Sequence, residues 1–444
     1  MRCHAHAGRY CGSDVIVLRA YASSFFALRD HPSLYGALRC SALHFKDLRF
    51  NALRSSIIAV VSLLTSARLA PAQTPSNTGI GFVVAPAFQS WSFAKDVPLD
   101  SIRVSGASQV AVPFSVEIPL RMRWTVSITG AVSSSRLTAQ DSARSITRSF
   151  SGLSDTRVRA TGRLLTDALR LTVGLNLPTG AVNLSPEQND VIRVTAAPAL
   201  DARVPIAGTG LGGTLGLVYA RTIGQWGWAF GAGVEQRGTY APLEAQIAGV
   251  GSRTELDPGG ALHVSAGADG LLGQNRLSLG VVADVYGKDQ LHLTSGSRTP
   301  TTQQYQLGPT VSVAAALAVN NSRIRDLVLR INERYRSGFK NGNGDAVDGS
   351  SGNYLEFGAS GLLGTPDRLS LLLGLSVRQH SGLPVDEGLI GAGLTAVGAT
   401  VGVSIPRATI EWRPTLQVSI GSLKTERVTT GMTALAVGLS VARR

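Results

Sequence analysis

The hydrophobicity of this chain alternates with a period of two over most of its length. Residues 169–177, LRLTVGLNL, place an apolar side chain at every second position, and the same pattern recurs at 122–129, 409–420 and 435–441. Because successive side chains of a strand point to opposite faces, each such segment has one apolar and one polar face. The pattern therefore predicts amphipathic β-strands, and no comparable stretch shows helical spacing.

About seventeen such segments can be counted. They begin near residues 81, 109, 121, 153, 168, 190, 211, 226, 258, 275, 303, 323, 354, 368, 389, 406 and 431. Bacterial single-chain membrane barrels have an even number of strands, so this odd count contains an error. The prediction is an all-β fold, a transmembrane antiparallel β-barrel of about 16 strands within a range of roughly 14 to 18.

The connections between the segments alternate in length. Short links with turn residues lie at 166–167, 273–275, 320–322, 365–367 and 405–406, and longer polar links lie near 94–107, 138–152, 179–189, 288–302 and 338–353. Short turns at one end and long loops at the other are typical of outer-membrane barrels. The alternation fails only between about 206 and 257. One strand there is either spurious or missed, which leaves about 16 or about 18 strands open.

The composition favours a wall that faces lipid. Charged residues make up 16% of the chain, against about 25% in an ordinary soluble domain. A closed sheet satisfies every backbone hydrogen bond in hydrocarbon without leaving an edge. Soluble β-sandwiches are the alternative, but this many strands would need two of them and no linker separates them.

Aromatic residues gather near the ends of the predicted strands, where rings at the lipid headgroups would lie. They are Trp91, Phe93, Trp226, Trp228, Tyr286, Tyr335, Phe339, Tyr354 and Phe357.

The first part of the chain is predicted to be a leader. Residues 54–72 have the positive flank, short apolar core and Ala70-Pro71-Ala72 ending of a signal peptide. We expect cleavage before Gln73, so that residues 1–72 form the leader and residues 73–444 form the outer-membrane barrel. The residues upstream of the signal reflect either a misassigned start codon or a long n-region.

All three cysteines, Cys3, Cys11 and Cys40, lie in the predicted leader, so the barrel part can form no disulfide and no cysteine-ligated metal site. The net charge of +13 includes no basic run or basic helix, so we expect no nucleic-acid partner.

Arginines recur on the polar face of two predicted strands. An arginine directed at lipid costs about 2–4 kcal/mol near the bilayer midplane, so we expect these side chains to face a water-filled lumen. The residues predicted to line the lumen are Arg157, Arg159, Arg163, Arg330, Arg334, Arg336, Glu411 and Arg413. They either form a positive stripe that favours anions or pair with carboxylates such as Glu235, Asp269, Asp284 and Glu411 and brace the wall.

Residues 152–180, GLSDTRVRATGRLLTDALRLTVGLNLPTG, combine a G-x-x-D opening at Gly152 and Asp155 with an L-P-T-G turn at Leu177 to Gly180. This stretch resembles the outer-membrane transporter family of meta-pathway phenol degradation proteins. The resemblance implies a barrel related to channels for hydrophobic compounds, with small aromatic or fatty substrates. The chain departs from outer-membrane barrels in general by ending LSVARR, without an aromatic residue on its last strand.

Three further motifs carry weaker signals. Residues 208–213, GTGLGG, match a dinucleotide-binding pattern, but alternation follows them where a helix is required. Residues 341–345, NGNGD, with Asp348 resemble the start of a calcium loop but have glycine where the final glutamate belongs. His263 and Ser265 share a face and are the nearest approach to a lipid-hydrolase pair. We predict no catalytic, cofactor-binding or metal-binding residues and no cofactor.

The sequence thus favours a channel or transporter for passive uptake of small, aromatic or hydrophobic compounds. Its location would be the outer membrane of a Gram-negative-type bacterium, with membrane lipid and a small-molecule solute as partners. The alternatives are a structural or adhesive barrel without transport and a barrel lipid hydrolase. The substrate, the gating loops and the oligomeric state stay open.

Overall fold

The computed structural model describes residues 80–443 except 100–101, 121–123, 142–143, 203, 205–207, 248–249, 296–300, 321–323, 366–367, 383–388, 390 and 408–409. The predicted leader and its signal peptide lie outside the described residues. Among the described residues, no helix is long and apolar enough to cross a membrane.

Antiparallel strands make up most of the described chain, with one short helix. The strands are β1 Gly81–Val84, β2 Ala87–Leu99, β3 Ile102–Leu120, β4 Trp124–Asp141, β5 Arg144–Leu153, β6 Thr156–Arg163, β7 Leu169–Leu177, β8 Gly212–Ile223, β9 Trp226–Arg237, β10 Tyr240–Ile247, β11 Val250–Asp257, β12 Ala261–Leu272, β13 Asn275–Tyr286, β14 Lys288–Ser295, β15 Thr301–Gln306, β16 Thr310–Val319, β17 Ile324–Arg336, β18 Gly352–Leu363, β19 Ser370–His380, β20 Gly393–Arg407, β21 Ile410–Lys424 and β22 Thr429–Arg443, and the helix is α1 Pro186–Thr195.

The main sheet closes on itself. β22 pairs with β1 and β2, and these two form one barrel strand because they share both neighbours, β22 and β3. β5 and β6 likewise form one barrel strand, since both pair with β4. The eighteen strands of the main sheet therefore make a closed barrel of 16 strands in the described part of the chain. The predicted fold class and strand number are confirmed.

The two ends of the barrel differ. At the short-turn end, tight turns such as those at 224–225 and 273–274 join consecutive strands, and β1 and β22 also reach this end. At the opposite, long-loop end, β10, β11, β14 and β15 continue barrel strands into a four-stranded sheet that extends the wall.

One predicted strand is wrong. The segment near residue 190 is helix α1, which begins with a capping box: Ser185 Oγ accepts the Gln188 N–H, the Gln188 side chain accepts the Ser185 N–H, and Pro186 occupies the first turn. Removing this segment gives the 16 strands and restores the alternation of short and long connections.

The predicted links also need correction. Those near 94–107, 138–152 and 288–302 are largely strand, because the hairpins of β2–β3, β4–β5 and β14–β15 extend through them. The predicted link at 405–406 lies inside β20.

The outer face of the barrel is apolar. Large side chains that alternate with the inner positions are exposed, among them Leu175, Leu217, Phe230, Val264, Leu375 and Ile420. Near the short-turn end, Trp124 and Trp226 lie flat over Gly162 and Gly270, which leave no room there for a Cβ atom. An apolar band with tryptophan at its border matches a lipid-facing surface.

The described residues of the connection between β7 and β8, which spans 178–211, fold into the barrel, and we call them the inward segment. Its apolar side chains, including Val191, Ile192, Val194 and Leu200 of α1 and its C-terminal turn, are buried against the inner faces of several strands. Burial of such side chains stabilises this arrangement by about 1.5–3 kcal/mol each before the cost of ordering the loop.

The prediction that Trp91 and Phe93 lie at the lipid headgroups is wrong. Both rings are buried inside the barrel, where they pack with the inward segment. Tyr354 also faces inward, because it occupies the same face of β18 as Glu356 and donates a hydrogen bond to its carboxylate at 3.1 Å. Alternation shows which residues share a face. It does not show which face an aromatic ring occupies, because a ring can pack in the lumen as well as against lipid.

Candidate functional site

The inward segment fills one side of the lumen. Its backbone accepts hydrogen bonds from Trp91 Nε1 on β2, at Leu200 O (2.9 Å), and from Gln109 Nε2 on β3, at Val204 O (2.9 Å). On β19, Arg378 pairs with Asp201 at 2.9 Å. The side of the lumen formed by β7, β8, β9, β12 and β13 is left open.

An open cavity occupies that side. Residues of β6 to β9, β12 and β13 line it, among them Arg159, Thr172, Gly231, His263, Asp269 and Ser278. The six residues just named lie at inward-facing positions of their strands. The registers place Arg159, Gly174 and Thr214 in one inner row and Gly231, Ser265 and Val282 in another.

The centre of this wall is rich in glycine. Gly216, Gly231, Gly233 and Gly267 occupy adjacent inner positions of β8, β9 and β12. A Cβ atom on Gly231 would lie 2.6 Å from Ser265 Oγ, so a larger residue there requires the serine hydroxyl to move. The glycines lower this part of the wall, and the side chains of Val218 and Ser265 stand beside Gly231.

A polar cluster stands at one border of the cavity. His263 Nδ1 lies 2.7 Å from Asp284 Oδ1, and Thr310 Oγ1 donates to Asp284 Oδ2 at 3.0 Å. Glu235 Oε2 lies 3.9 Å from His263 Nε2. His263 therefore stands between carboxylates from β9 and β13. Ser265, the serine that shares its face, lies two residues further along β12.

A second cluster lies nearer the short-turn end. Arg276 Nε donates to Asp269 Oδ1 at 2.7 Å, and the Ser278 hydroxyl donates to the other oxygen of the same carboxylate. These contacts join β12 to β13 and leave Asp269 at the edge of the cavity.

The predicted lumen residues fall into three separate places. Arg157, Arg159 and Arg163 lie on β6, Arg330, Arg334 and Arg336 on β17, and Glu411 and Arg413 on β21. Around the barrel, β6 and β17 are seven strands apart out of 16, so the two arginine groups stand on nearly opposite walls. The acidic residues Glu235, Asp269 and Asp284 belong to the wall between them.

Several of these arginines have identified partners. Arg163 pairs with Asp167 at 2.8 Å, Arg330 with Glu356 at 2.8 Å and Arg413 with Glu411 at 2.7 Å. The Arg334 guanidinium lies 5.9 Å from the centre of the Tyr354 ring. Arg159 borders the cavity. The structure thus brings Arg159 to the open side, and it leaves Glu411 and Arg413 in a separate cluster with Ser404 near the short-turn end.

Residues 341–345 form a polar turn, in which Asn341 Oδ1 accepts the N–H groups of Asn343 and Asp345. The structure describes no group of three or more metal-ligating His, Cys, Asp or Glu side chains in the residues it covers. Residues 208–213 run directly into strand β8.

The sequence did not reveal the inward segment or its contacts. Gln109, Trp91 and Arg378 are ordinary members of alternating strands, and nothing in their spacing marks them as anchors. The signal that was available is the motif of Asp155 and Gly180, whose side chain and backbone meet at the base of the inward segment (3.0 Å between Gly180 N and Asp155 Oδ1).

These features define a class of protein, the transmembrane β-barrel with a partly filled, polar lumen. No protein-family model matches the chain. No curated protein matches it either.

Solved structures with a similar shape include outer-membrane channels and transporters. OprB of Pseudomonas putida is similar over 82% of this chain and 93% of its own, with 11% identity and a TM-score of 0.40. The toluene transporter TodX of Pseudomonas putida is similar over 83% and 90%, with 12% identity and a TM-score of 0.36. An outer membrane channel from the same species is similar over 84% and 99%, with 11% identity and a TM-score of 0.30. Because these TM-scores are low, the function is inferred from the chain's own geometry.

Proposed function

We propose that this protein is an outer-membrane channel for the passive diffusion of small solutes. The observation that carries the proposal is a closed barrel with an apolar outside whose lumen is only partly filled, leaving an open cavity along β6 to β9, β12 and β13. A closed sheet allows the outer wall to face hydrocarbon while the inner wall stays wet. The proposal involves no chemical step and no cofactor.

The arginines of β6 and β17 form opposite walls of the proposed path. Arg159 borders the open cavity directly, and Arg334 faces inward over Tyr354. Guanidinium groups on two facing walls create a positive electrostatic potential that attracts anions. Low-dielectric surroundings strengthen this potential. We infer that the pairs of Arg330 with Glu356 and of Arg413 with Glu411 brace the wall, whereas Arg159 and Arg334 supply the positive field.

The glycine-rich wall, with the apolar side chains of Val218 and Val282 beside Gly231, favours a compact solute with an apolar face. A solute resting on it contacts paired backbone and Cα atoms, as at Gly231 and Gly267, and gains from burial of its apolar surface. Small aromatic or hydrophobic compounds, especially those with an anionic group, fit this surface. The proposed assignment to the phenol-degradation transporter family is consistent with such solutes.

Conductance in a planar lipid bilayer tests the channel. Purified refolded protein is expected to give discrete open-channel currents that persist without any energy source. Persistent silence, with a barrel shown to be folded, would contradict diffusion and favour the structural or adhesive alternative. The apolar packing of the inward segment is the observation that favours that alternative.

Export depends on the leader. We propose that residues 54–72 direct the chain to the outer membrane and are removed before Gln73. N-terminal sequencing of the protein isolated from membranes should begin at Gln73, and a start elsewhere would contradict this boundary without affecting the barrel.

A further inference from the structure

We infer that Asp155 is a positioning residue that holds the inward segment at the barrel wall and thereby sets the width of the open lumen. The inference rests on the proposed channel function for its consequence, whereas the position of the segment can be tested without transport.

Asp155 stands at a break between β5 and β6. The pairing of these strands with β4 shifts by one residue at this point, which is a β-bulge. Ser154 fixes the bulge, because its Oγ accepts the Ala131 N–H at 2.9 Å and its own N–H donates to Ala131 O at 2.8 Å. A bulge redirects a side chain. Here it presents the Asp155 carboxylate to the inward segment.

The carboxylate binds both ends of that segment. Oδ1 accepts the Gly180 N–H at 3.0 Å, just after β7. Oδ2 accepts the Thr209 N–H at 2.6 Å and the Thr209 hydroxyl at 3.1 Å, just before β8. Asn176 Nδ2 donates to the same oxygen at 2.8 Å. One charged group therefore receives four donors and ties the point where the segment leaves the wall to the point where it returns.

Two glycines make this junction tight. A Cβ atom on Gly208 would lie 2.7 Å from Asp155 Oδ1 and 2.9 Å from the backbone of Gly180. A Cβ atom on Gly180 would lie 2.7 Å from Gly208 Cα. The two backbones also pair, since the Gly208 N–H donates to Ala181 O at 2.9 Å. The glycine that ends the L-P-T-G turn is thus required by the approach of the returning chain.

The other anchors hold the segment further along. Gln109 and Trp91 donate to its backbone, and Arg148 pairs with Asp190 on α1. They fix its middle against β2, β3 and β5 but do not join its two ends. Losing the Asp155 carboxylate removes the side-chain tie between the two ends and leaves only the backbone bond from Gly208 to Ala181. The closed arrangement is then less stable, so the whole segment, with its middle contacts and α1, opens from the wall more often.

Trypsin cleavage after Arg193 reports this motion. Arg193 lies on α1 and is 7% exposed, so it is protected while the segment is in place. In Asp155→Asn, an NH₂ group replaces one carboxylate oxygen. This group cannot accept a hydrogen bond, so at least one of the N–H donors of Gly180 and Thr209 loses its acceptor. We expect cleavage at Arg193 of the folded barrel to accelerate roughly ten- to hundredfold, the factor that corresponds to losing hydrogen bonds to a charged group.

The same variant is expected to show larger or noisier single-channel currents than the unchanged protein. Glu426→Gln is the matched control, because Glu426 is a partly exposed carboxylate in the β21–β22 turn, paired with Arg427. It should leave both the cleavage rate and the currents unchanged.

Gly208→Ala provides a second variant with the carboxylate intact. It should release the segment by steric contact and also expose Arg193, so the inference stays testable if Asp155→Asn fails to fold. Wild-type protection of Arg193 in a folded variant at either site would overturn it. Faster cleavage in a protein that conducts no current would support the role of Asp155 and contradict the channel. Normal currents with no change in cleavage would support the channel and contradict the role of Asp155.

Discussion

At the scale of single residues, the direction of a side chain could be predicted but its partner could not. Arg330 and Arg334 lie on the face of β17 that neighbours Glu356 and Tyr354 of β18. Their contacts depend on the register between β17 and β18, which no local pattern encodes. Asp155 illustrates the same limit, because its partners Gly180 and Thr209 lie far along the chain and meet it only in the fold.

The arginines of the proposed path should set ion selectivity. The double change Arg159→Gln and Arg334→Gln removes one positive charge from each facing wall and should shift the reversal potential in a salt gradient toward cation preference. Electrostatic attraction of this kind weakens with salt, so the shift should be largest at low ionic strength.

Arg427→Gln is the control for the selectivity measurement, because Arg427 lies in the exposed β21–β22 turn. An unchanged reversal potential in the double variant would show that these arginines only brace the wall.

At the scale of elements, strands were predictable and the helix was not. Sixteen of the seventeen predicted segments coincide with barrel strands of the described chain, because period-two alternation sustained over a whole segment is typical of a strand with two unlike faces. Helix α1 has ten residues, and its apolar residues Val191, Ile192 and Val194 resemble part of a short strand. The capping signature of Ser185, Pro186 and Gln188 was the available evidence against a strand.

Removing α1 and the turn after it, the central part of the inward segment, should widen the path without destroying the barrel. Replacement of residues 186–200 by a short Gly/Ser linker leaves every strand pairing of β7 with β8 in place. We expect a several-fold rise in single-channel conductance and a loss of thermal stability, because Trp91, Leu137 and Phe150 lose their apolar cover. Unaltered conductance would place the solute path elsewhere.

At the scale of the whole molecule, an even-numbered barrel followed from the sequence, but the side on which its lumen stays open did not. Which wall the inward segment covers depends on where Gln109, Trp91 and Arg378 meet it in space. The wall left bare is the one rich in glycine at its inner positions, such as Gly231 and Gly233, which offer no side chains for such packing.

The closed barrel predicts a mobility shift on heating. The folded protein should migrate faster in unheated detergent gels than after boiling, because a closed sheet without an edge resists unfolding by detergent. Circular dichroism should show predominantly β structure. A freely water-soluble protein, or one rich in helix, would contradict the membrane barrel altogether.

The pairing of β2 with β22 joins one of the first barrel strands to be synthesised to the last one. Ala87 faces Gly438, so the seam can form only after the whole chain exists. Until then two strand edges stay open, and such long-range closure is slow and prone to aggregation. Closure of the barrel therefore cannot be completed before the last strand arrives. The nascent polypeptide must be kept apart from its neighbours until its final strand arrives, and loss of that strand would leave both edges without a partner.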